Sequence, residues 1–253
     1  MDGAKDHSAC HPHSWKTMEI KILFDNIASD KKFLTGWGLA YLIDGDILFD
    51  TGNKGESLLK NMENANINIL DIKTVVISHD HWDHTGGLWA LLKVNPKLKV
   101  YGCRDFGKKF KNKVKTLGSE LIESDGFRKI KKNIYTTGSI AGKYAGHYIP
   151  EQSLVLKTPK GLTVLTGCAH PGILKIIENT KQNIAGNIYL VLGGFHLKRS
   201  FKKTISKIRE KFRELKIKKA APSHCSGEKA LNMFNEEYGK DFIEIKVGDT
   251  IRV

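Results

Sequence analysis

No stretch of this 253-residue chain approaches the roughly 18 consecutive apolar residues that a membrane-spanning helix needs, so no helical span is expected. The opening residues, MDGAKDHSACHPHSWKTM, lack an apolar centre and do not read as a secretory signal. Cysteine is scarce. Cys10, Cys103, Cys168 and Cys225 form no CxxC pair and no regular framework, which argues against a disulfide scaffold and for a reducing, cytoplasmic location. Acidic residues are short as well, 27 against 41 Lys and Arg, for a formal net charge of +14. That imbalance favours anionic partners such as phosphorylated small molecules, nucleic acid or anionic surfaces. Spread over several segments, the lysines equally describe a solvated basic surface.

What is present starts at Met18. Residues 1–17 carry His7, His11 and His13 without any periodicity and read as a leader or disordered extension, so those histidines are set apart from the site. The remainder, 18–253, is long enough for one large domain, and 40% of the chain is hydrophobic, ample for a core. EIKILFD reads as a strand, and LAYLIDGDILFDTG as a hairpin turning at Asp44-Gly45. A helix is expected over 55–65, a buried strand in KTVVIS, a helix over Leu88–Val94 and a strand in LKVYG. Residues 103–151, rich in Lys and Gly, are expected to be less regular and to include a substrate-facing loop.

The second half repeats the order of the first. ILFDTGNKGESLLKN…KTVVISHDH and TVLTGCAHPGILKII…IYLVLGGFH each run from a hairpin ending in Thr-Gly through a helix to a buried strand and a His-bearing loop. SLVLKTPKGLTVLTG turns at Lys160-Gly161; a helix over 172–181, the strand NIYLVLGG, a long helix from Ser200, the strand IKKAAPS, a helix over 227–236 and closing strands near 242–247 and 250–253 follow. In the long helix, Phe201, Ile205, Ile208, Phe212 and Leu215 recur at spacings of three and four and define an apolar face. Two such halves predict an α/β fold, two packed sheets with helices outside, in four αββα layers. His79, His81, His170, His196 and His224 all follow the carboxyl end of an expected strand, the edge where α/β architectures bind ligands.

His79-Asp80-His81-Trp82-Asp83-His84 packs four donor side chains into six positions. In a tight loop leaving a strand, His79 and His81 can chelate one ion while Asp83 and His84 turn to a second. Neutral imidazole and carboxylate suit Zn²⁺ first, with Mn²⁺, Fe²⁺ or Mg²⁺ as other divalent occupants.

SHDHWDH together with the upstream FDTG resembles the metallo-β-lactamase superfamily over essentially Met18 to Val253. EQSLVLKTPKGLTVLTGCAHPGI, LVLGGFHL and PSHCSGEKA resemble the branch of that superfamily containing the archaeal dihydropterin–ribofuranosylaminobenzene 5′-phosphate synthases. The resemblance implies that His79, His81 and His170 hold one ion and that Asp83, His84 and His224 hold another. It makes Asp50 a carboxylate that fixes a ligand's tautomer. Asp83 also counts among the catalytic residues. His196 is a ligand, a catalytic hydrogen-bond donor to a substrate phosphate or leaving group, or a structural residue. One departure stands out: Cys168 occupies the position after the second Thr-Gly where many members have a bridging Asp, so it is either a bridging thiolate or a small buried residue.

Bound ions of this kind either acidify water for hydrolysis or clamp a diphosphate for transfer. The branch implies the second: an arylamine carrying a ribose phosphate attacks a pterin methyl diphosphate and pyrophosphate leaves. A phosphoester or cyclic-ester hydrolase and a non-catalytic ligand-binding module are the alternatives. The expected partner is therefore an anionic, phosphorylated small molecule, with nucleic acid disfavoured by the short chain, no membrane, and a homo-oligomer left open. Trp37, Tyr144, His147, Tyr148 and Phe195 are candidate faces for a flat heterocycle. Lys54, Lys143 and Lys198 are candidate phosphate contacts, and Glu151-Gln152 a polar pair that either orients substrate or starts a strand.

Overall fold

Period-two burial sets the architecture. In the computed structural model, which describes residues 17–253, Ile20, Ile22, Tyr41, Ile43, Ile47, Phe49 and Val76 face one way and Leu42, Leu48, Val75 and Ile77 the other. Residues 1–16, with Cys10 and the histidines of the expected leader, lie outside the described residues.

The first half contains β1 (Glu19–Phe24), β2 (Ala40–Ile43), β3 (Ile47–Phe49), α1 (Gly55–Asn64), β4 (Thr74–Val76), the single turn α2 (Trp82–Thr85), α3 (Leu88–Val94), β5 (Lys99–Cys103), α4 (Lys108–Thr116) and β6 (Glu120–Ser124). The second contains β7 (Arg128–Lys131), β8 (Ile134–Thr136), β9 (Ile140–Tyr144), β10 (His147–Glu151), β11 (Leu154–Thr158), β12 (Gly161–Thr166), α5 (Ile173–Asn183), β13 (Ile188–Gly194), α6 (Lys202–Glu214), β14 (Lys219–Ser223), α7 (Glu228–Tyr238) and β15 (Thr250–Arg252). A seven-stranded sheet runs β15-β1-β2-β3-β4-β5-β6 and a six-stranded sheet runs β14-β13-β12-β11-β8-β7, while β9 and β10 form a separate hairpin.

Three apolar clusters correspond to the three interfaces of a four-layer αββα sandwich. Ile22, Phe49 and Val76 meet Leu154, Leu165 and Leu192 between the sheets. Leu58, Met62, Leu91 and Phe110 cover the outer face of the first sheet, and Ile176, Ile205, Phe212 and Phe234 that of the second. Strands β3 to β6 pair in parallel, as do β12 to β14, so the carboxyl ends of β3, β4, β12, β13 and β14 open on one edge of the sandwich.

Polar bonds join the two sheets beside that edge. The Gln152 side chain donates to Ile77 O at 2.8 Å and Tyr101 O at 3.3 Å, accepts from Thr136 Oγ1 at 2.6 Å, and its backbone N donates to Ser78 O at 2.8 Å. Gln152 is therefore committed to holding the sheets and not to orienting substrate.

Three expectations change. Residues 103–151 carry α4 and β6 through β10 in place of a less regular stretch, and β7 exposes three of its four side chains and β9 three of its five, so neither presents a buried apolar run. The alternation of Ile243, Ile245 and Val247 with charged residues mimics a strand, but 242–247 makes only isolated bridges, Phe242 to Ala220 and Val247 to Ala28. Phe201 caps the start of α6 and is 81% exposed, so the buried stripe of that helix begins at Ile205.

Candidate metal centre

Asp50 organises the first half of the site. It leaves β3 in the left-handed region (φ 55°), and its carboxylate accepts the backbone N–H of Ser78 at 2.7 Å and the Ser78 hydroxyl at 2.6 Å. The same oxygen lies 2.7 Å from His84 Nδ1, and Ser78 Oγ lies 2.9 Å from His79 Nδ1. With the serine proton given to Asp50, both imidazoles carry theirs on Nδ1 and turn Nε2 inward. A fully buried carboxylate thus fixes one ring directly and another through a hydroxyl.

Three loops of the second half supply the rest. His170 follows β12, His196 follows β13 and His224 follows β14. The rings form one cluster: His79 lies 4.1 Å from His84 and 4.8 Å from both His81 and His170 between centroids, His84 lies 5.1 Å from His224, and His170 lies 4.5 Å from His196. Asp83 Oδ2 stands 3.3 Å from His224 Nε2 and 3.6 Å from His84 Nε2. A Cβ on Gly38 would fall 2.0 Å from Asp83 O, so glycine is required where this loop approaches.

The chemistry of the cluster fits a cation. Nε2 of His79, both ring nitrogens of His170 and Nε2 of His224 are buried without a hydrogen-bond partner, a costly arrangement for polar nitrogens that a cation bound among them would relieve. Burial, reinforced by neighbouring imidazoles, holds His79 well below its ordinary pKa and His170 at about 3, so both offer free lone pairs at neutral pH. Burial opposes charge on His84, yet Asp50 outweighs it and brings that ring to about 9. Burial likewise raises Asp83, but the His224 contact and the His84 charge prevail and leave it at about 2. Donor atoms of His79, His81 and Asp83 lie within 4.8 Å of one another, as do those of His79, Cys168 and His170, and those of His84, Cys168 and His224. At His224, Gly38 N–H points to Nδ1 at 3.2 Å; ligation through Nε2 would put a proton on Nδ1 and break that long hydrogen bond.

Glu151 and Phe195 do not face a substrate. Glu151 is fully buried, and its two oxygens accept the backbone N–H groups of Cys168, Ala169 and His170 at 2.9, 2.8 and 2.7 Å, so it shapes the loop that carries His170. Burial raises its pKa to about 7 against those hydrogen bonds. Phe195 packs on Phe212 and Phe234 beneath the second sheet because successive residues at a strand end point to opposite faces. His147 is exposed beside the turn of the β9–β10 hairpin. Tyr148, also exposed, donates to Asp105. Tyr144 of the same hairpin reaches the cluster, 4.9 Å from His81 and 5.2 Å from His170. Trp37 lies 4.7 Å from His224, with the Lys198 ammonium 4.7 Å over its ring. Lys54 lines a separate hollow with Trp89 and Lys93, and Lys143, exposed on β9, donates its backbone N–H to His170 O. Reading the sequence missed the bridging role of Ser78, although it stands next to His79, and missed Cys225 and Arg199, neighbours in sequence of residues it had singled out.

The profile of the metallo-β-lactamase superfamily matches residues 38–224. The chain belongs to that superfamily. Its fold implies divalent metal ions, and its members are metal-dependent hydrolases and related enzymes. Among relatives, the chain is similar to the 7,8-dihydropterin-6-methyl-4-(β-D-ribofuranosyl)-aminobenzene-5′-phosphate synthase of Methanocaldococcus jannaschii, with 29% identity covering 90% of this chain and 94% of that protein. An uncharacterized protein of the same organism is 30% identical over 86% of this chain and 94% of its own length. Among solved structures, Tm1679, a metal-dependent hydrolase of the β-lactamase superfamily, superposes with a TM-score of 0.81 at 29% identity, covering 93% of this chain and 99% of that one.

Proposed function

We propose that this chain is a zinc-dependent synthase that joins a dihydropterin methyl group to the amine of a ribofuranosylaminobenzene phosphate and releases pyrophosphate, acting in the cytoplasm as part of methanopterin biosynthesis. His79, His81 and His170 hold one ion and Asp83, His84 and His224 a second. Ions bound there supply Lewis acidity toward a phosphoryl or diphosphate oxygen.

The observation that carries the reading is the recess beside the cluster. Trp37, Tyr144, His196, Lys198, Arg199 and Cys225 line a space of about 210 Å³. Its walls combine aromatic faces for a flat heterocycle with two cations that form no ion pair among the described residues, the pairing that an anionic aromatic substrate requires. Hollows of about 430 and 460 Å³ elsewhere have no histidine or cysteine in their walls, and one of about 350 Å³ that reaches His224 has no lysine or arginine in its walls. In this recess Trp37 and Tyr144 position the ring, and Lys198 and Arg199 meet the phosphate charge. The full-length likeness to the archaeal synthase supports the same substrate class.

A second reading, hydrolysis of a phosphoester or cyclic ester by the same centre, is favoured by the likeness to Tm1679 at comparable identity. Mass spectrometry of the metal-loaded protein with dihydropterin methyl diphosphate, with and without the ribofuranosylaminobenzene phosphate, separates the two. Condensed product with pyrophosphate establishes the synthase. Release of the pterin alcohol alone establishes the hydrolase, and no reaction removes the pterin substrate from the proposal.

A further inference from the structure

We infer that Cys168, His196 and Cys225 form a sulfur-rich site for one thiophilic divalent ion such as zinc, adjoining the histidine cluster and sharing Cys168 with it. The two sulfurs and a His196 ring nitrogen all lie within 4.8 Å of one another. They come from the ends of three neighbouring parallel strands, β12, β13 and β14, so the register of the second sheet brings them together: Thr166 pairs with Gly193, and Gly194 with Ser223.

Several features are arranged around the sulfurs. Cys168 and Cys225 are buried and reduced, and Cys225 makes side-chain contacts with both Cys168 and His196. A Cβ on Gly194 would stand 2.7 Å from Cys225 Sγ, so glycine there leaves room for the sulfur. Each of the three loops has one non-glycine residue in the left-handed region: Ala169 (φ 58°), His196 (φ 54°) and His224 (φ 50°). Strain of this kind persists where the surroundings fix it and concentrates at functional sites. Cys103, by contrast, is buried without donors of this kind and contacts Ser78 O.

Two thiolates and one imidazole are a soft donor set that selects zinc-like ions and leaves a fourth tetrahedral position open. Binding one divalent ion displaces two thiol protons to solvent and leaves the set neutral. His196 and Cys225 also line the recess between Trp37 and Tyr144, so the set borders that space. Cys168 additionally belongs to two of the histidine-containing groups, whereas Cys225 belongs to this set alone among the described residues. Cys225 is therefore the discriminating residue.

The test is Co²⁺ titration of the reduced, metal-free full chain, read in the thiolate-to-cobalt charge-transfer band, with zinc content per chain measured in parallel. The wild type should show the band. Cys225→Ser should lose it together with one zinc equivalent while keeping the ligand-field bands of the histidine cluster; Cys103→Ser and His79→Ala should keep it. Absence of the band in the wild type, or its survival in Cys225→Ser, overturns the inference. So does loss in Cys168→Ser alone, which would make the sulfur a donor to the histidine cluster only. Should Cys225→Ser fail to fold, alkylation of the wild type decides: zinc should slow labelling of Cys168 and Cys225 but not Cys103, and equal rates with and without zinc overturn the inference. A protein that shows the band but turns over no pterin substrate keeps this site and loses only the proposed synthase activity.

Discussion

The two halves repeat one chain order but present their donors in opposite ways. The first half delivers His79, His81, Asp83 and His84 from one loop and the single turn of α2, with Asp50 fixing His84 directly and His79 through Ser78. The second delivers one histidine from each of three loops, and each of those loops holds a non-glycine residue at positive φ. Local sequence determines the first arrangement, since residues a few positions apart have little choice of relative placement. Sheet register determines the second, since His170, His196 and His224 meet only because β12, β13 and β14 pair in parallel.

That contrast predicts unequal damage. His79→Ala, which removes a donor common to two groups, should weaken ion binding by more than about 100-fold, beyond the 10–100-fold typical of losing a ligand's partner. His224→Ala, whose ring must also give up Gly38 to bind, should cost about tenfold less. Metal titration of folded variants checks both, and equal losses would break the comparison.

Next in size is Glu151→Ala. It strands the amides of Cys168, Ala169 and His170 and should cost about 3 kcal/mol, the lower end for several buried unpaired donors. Chemical denaturation measures it. A change within the scatter of ordinary surface substitutions would mean that the loop holds its shape without the carboxylate.

A subtler effect is the pH profile of the metal-free protein. His170, lowered from 6.5 to about 3, makes stability rise with pH across that window, as does Asp83 from about 2 to 3.8. Glu151, raised from 4.5 to about 7, and His84, raised from 6.5 to about 9, each make stability fall as pH climbs through their windows. Among these four groups only gains act below 4.5 and only losses above 6.5, so their combined contribution to Tm should peak between those values. Differential scanning fluorimetry that finds Tm still climbing from pH 7 to 9 would contradict the His84 and Glu151 assignments. Smallest of all, Phe201→Ser should leave stability within about 0.5 kcal/mol, because that ring is exposed.

These differences track what could be read in advance. The Asp44-Gly45 turn, the helix at 55–65 and the HxHxDH stretch were legible because each is written in neighbouring residues. Glu151 and Phe195 were misassigned to substrate because their directions depend on a loop and a strand end, neither of which has a local signature. The strands of 103–151 escaped notice since β7 is nearly all exposed and β9 buries only two of its five residues. Isoleucines 243 and 245 suggested a strand by alternation alone, yet the segment touches β14 only at Ala220 and no ladder continues from there.

Gln152 has a mechanical consequence. Apolar contact between the sheets is non-directional and would tolerate small sliding of one layer over the other. An ion shared between layers tolerates little, on the order of 0.5 Å. Bonds from Gln152 to Ile77, Tyr101 and Thr136 act as a locating pin at the rim where the two layers must agree. The sandwich can therefore flex far from this edge, in its helices and its distal turns, without bringing the donors out of alignment.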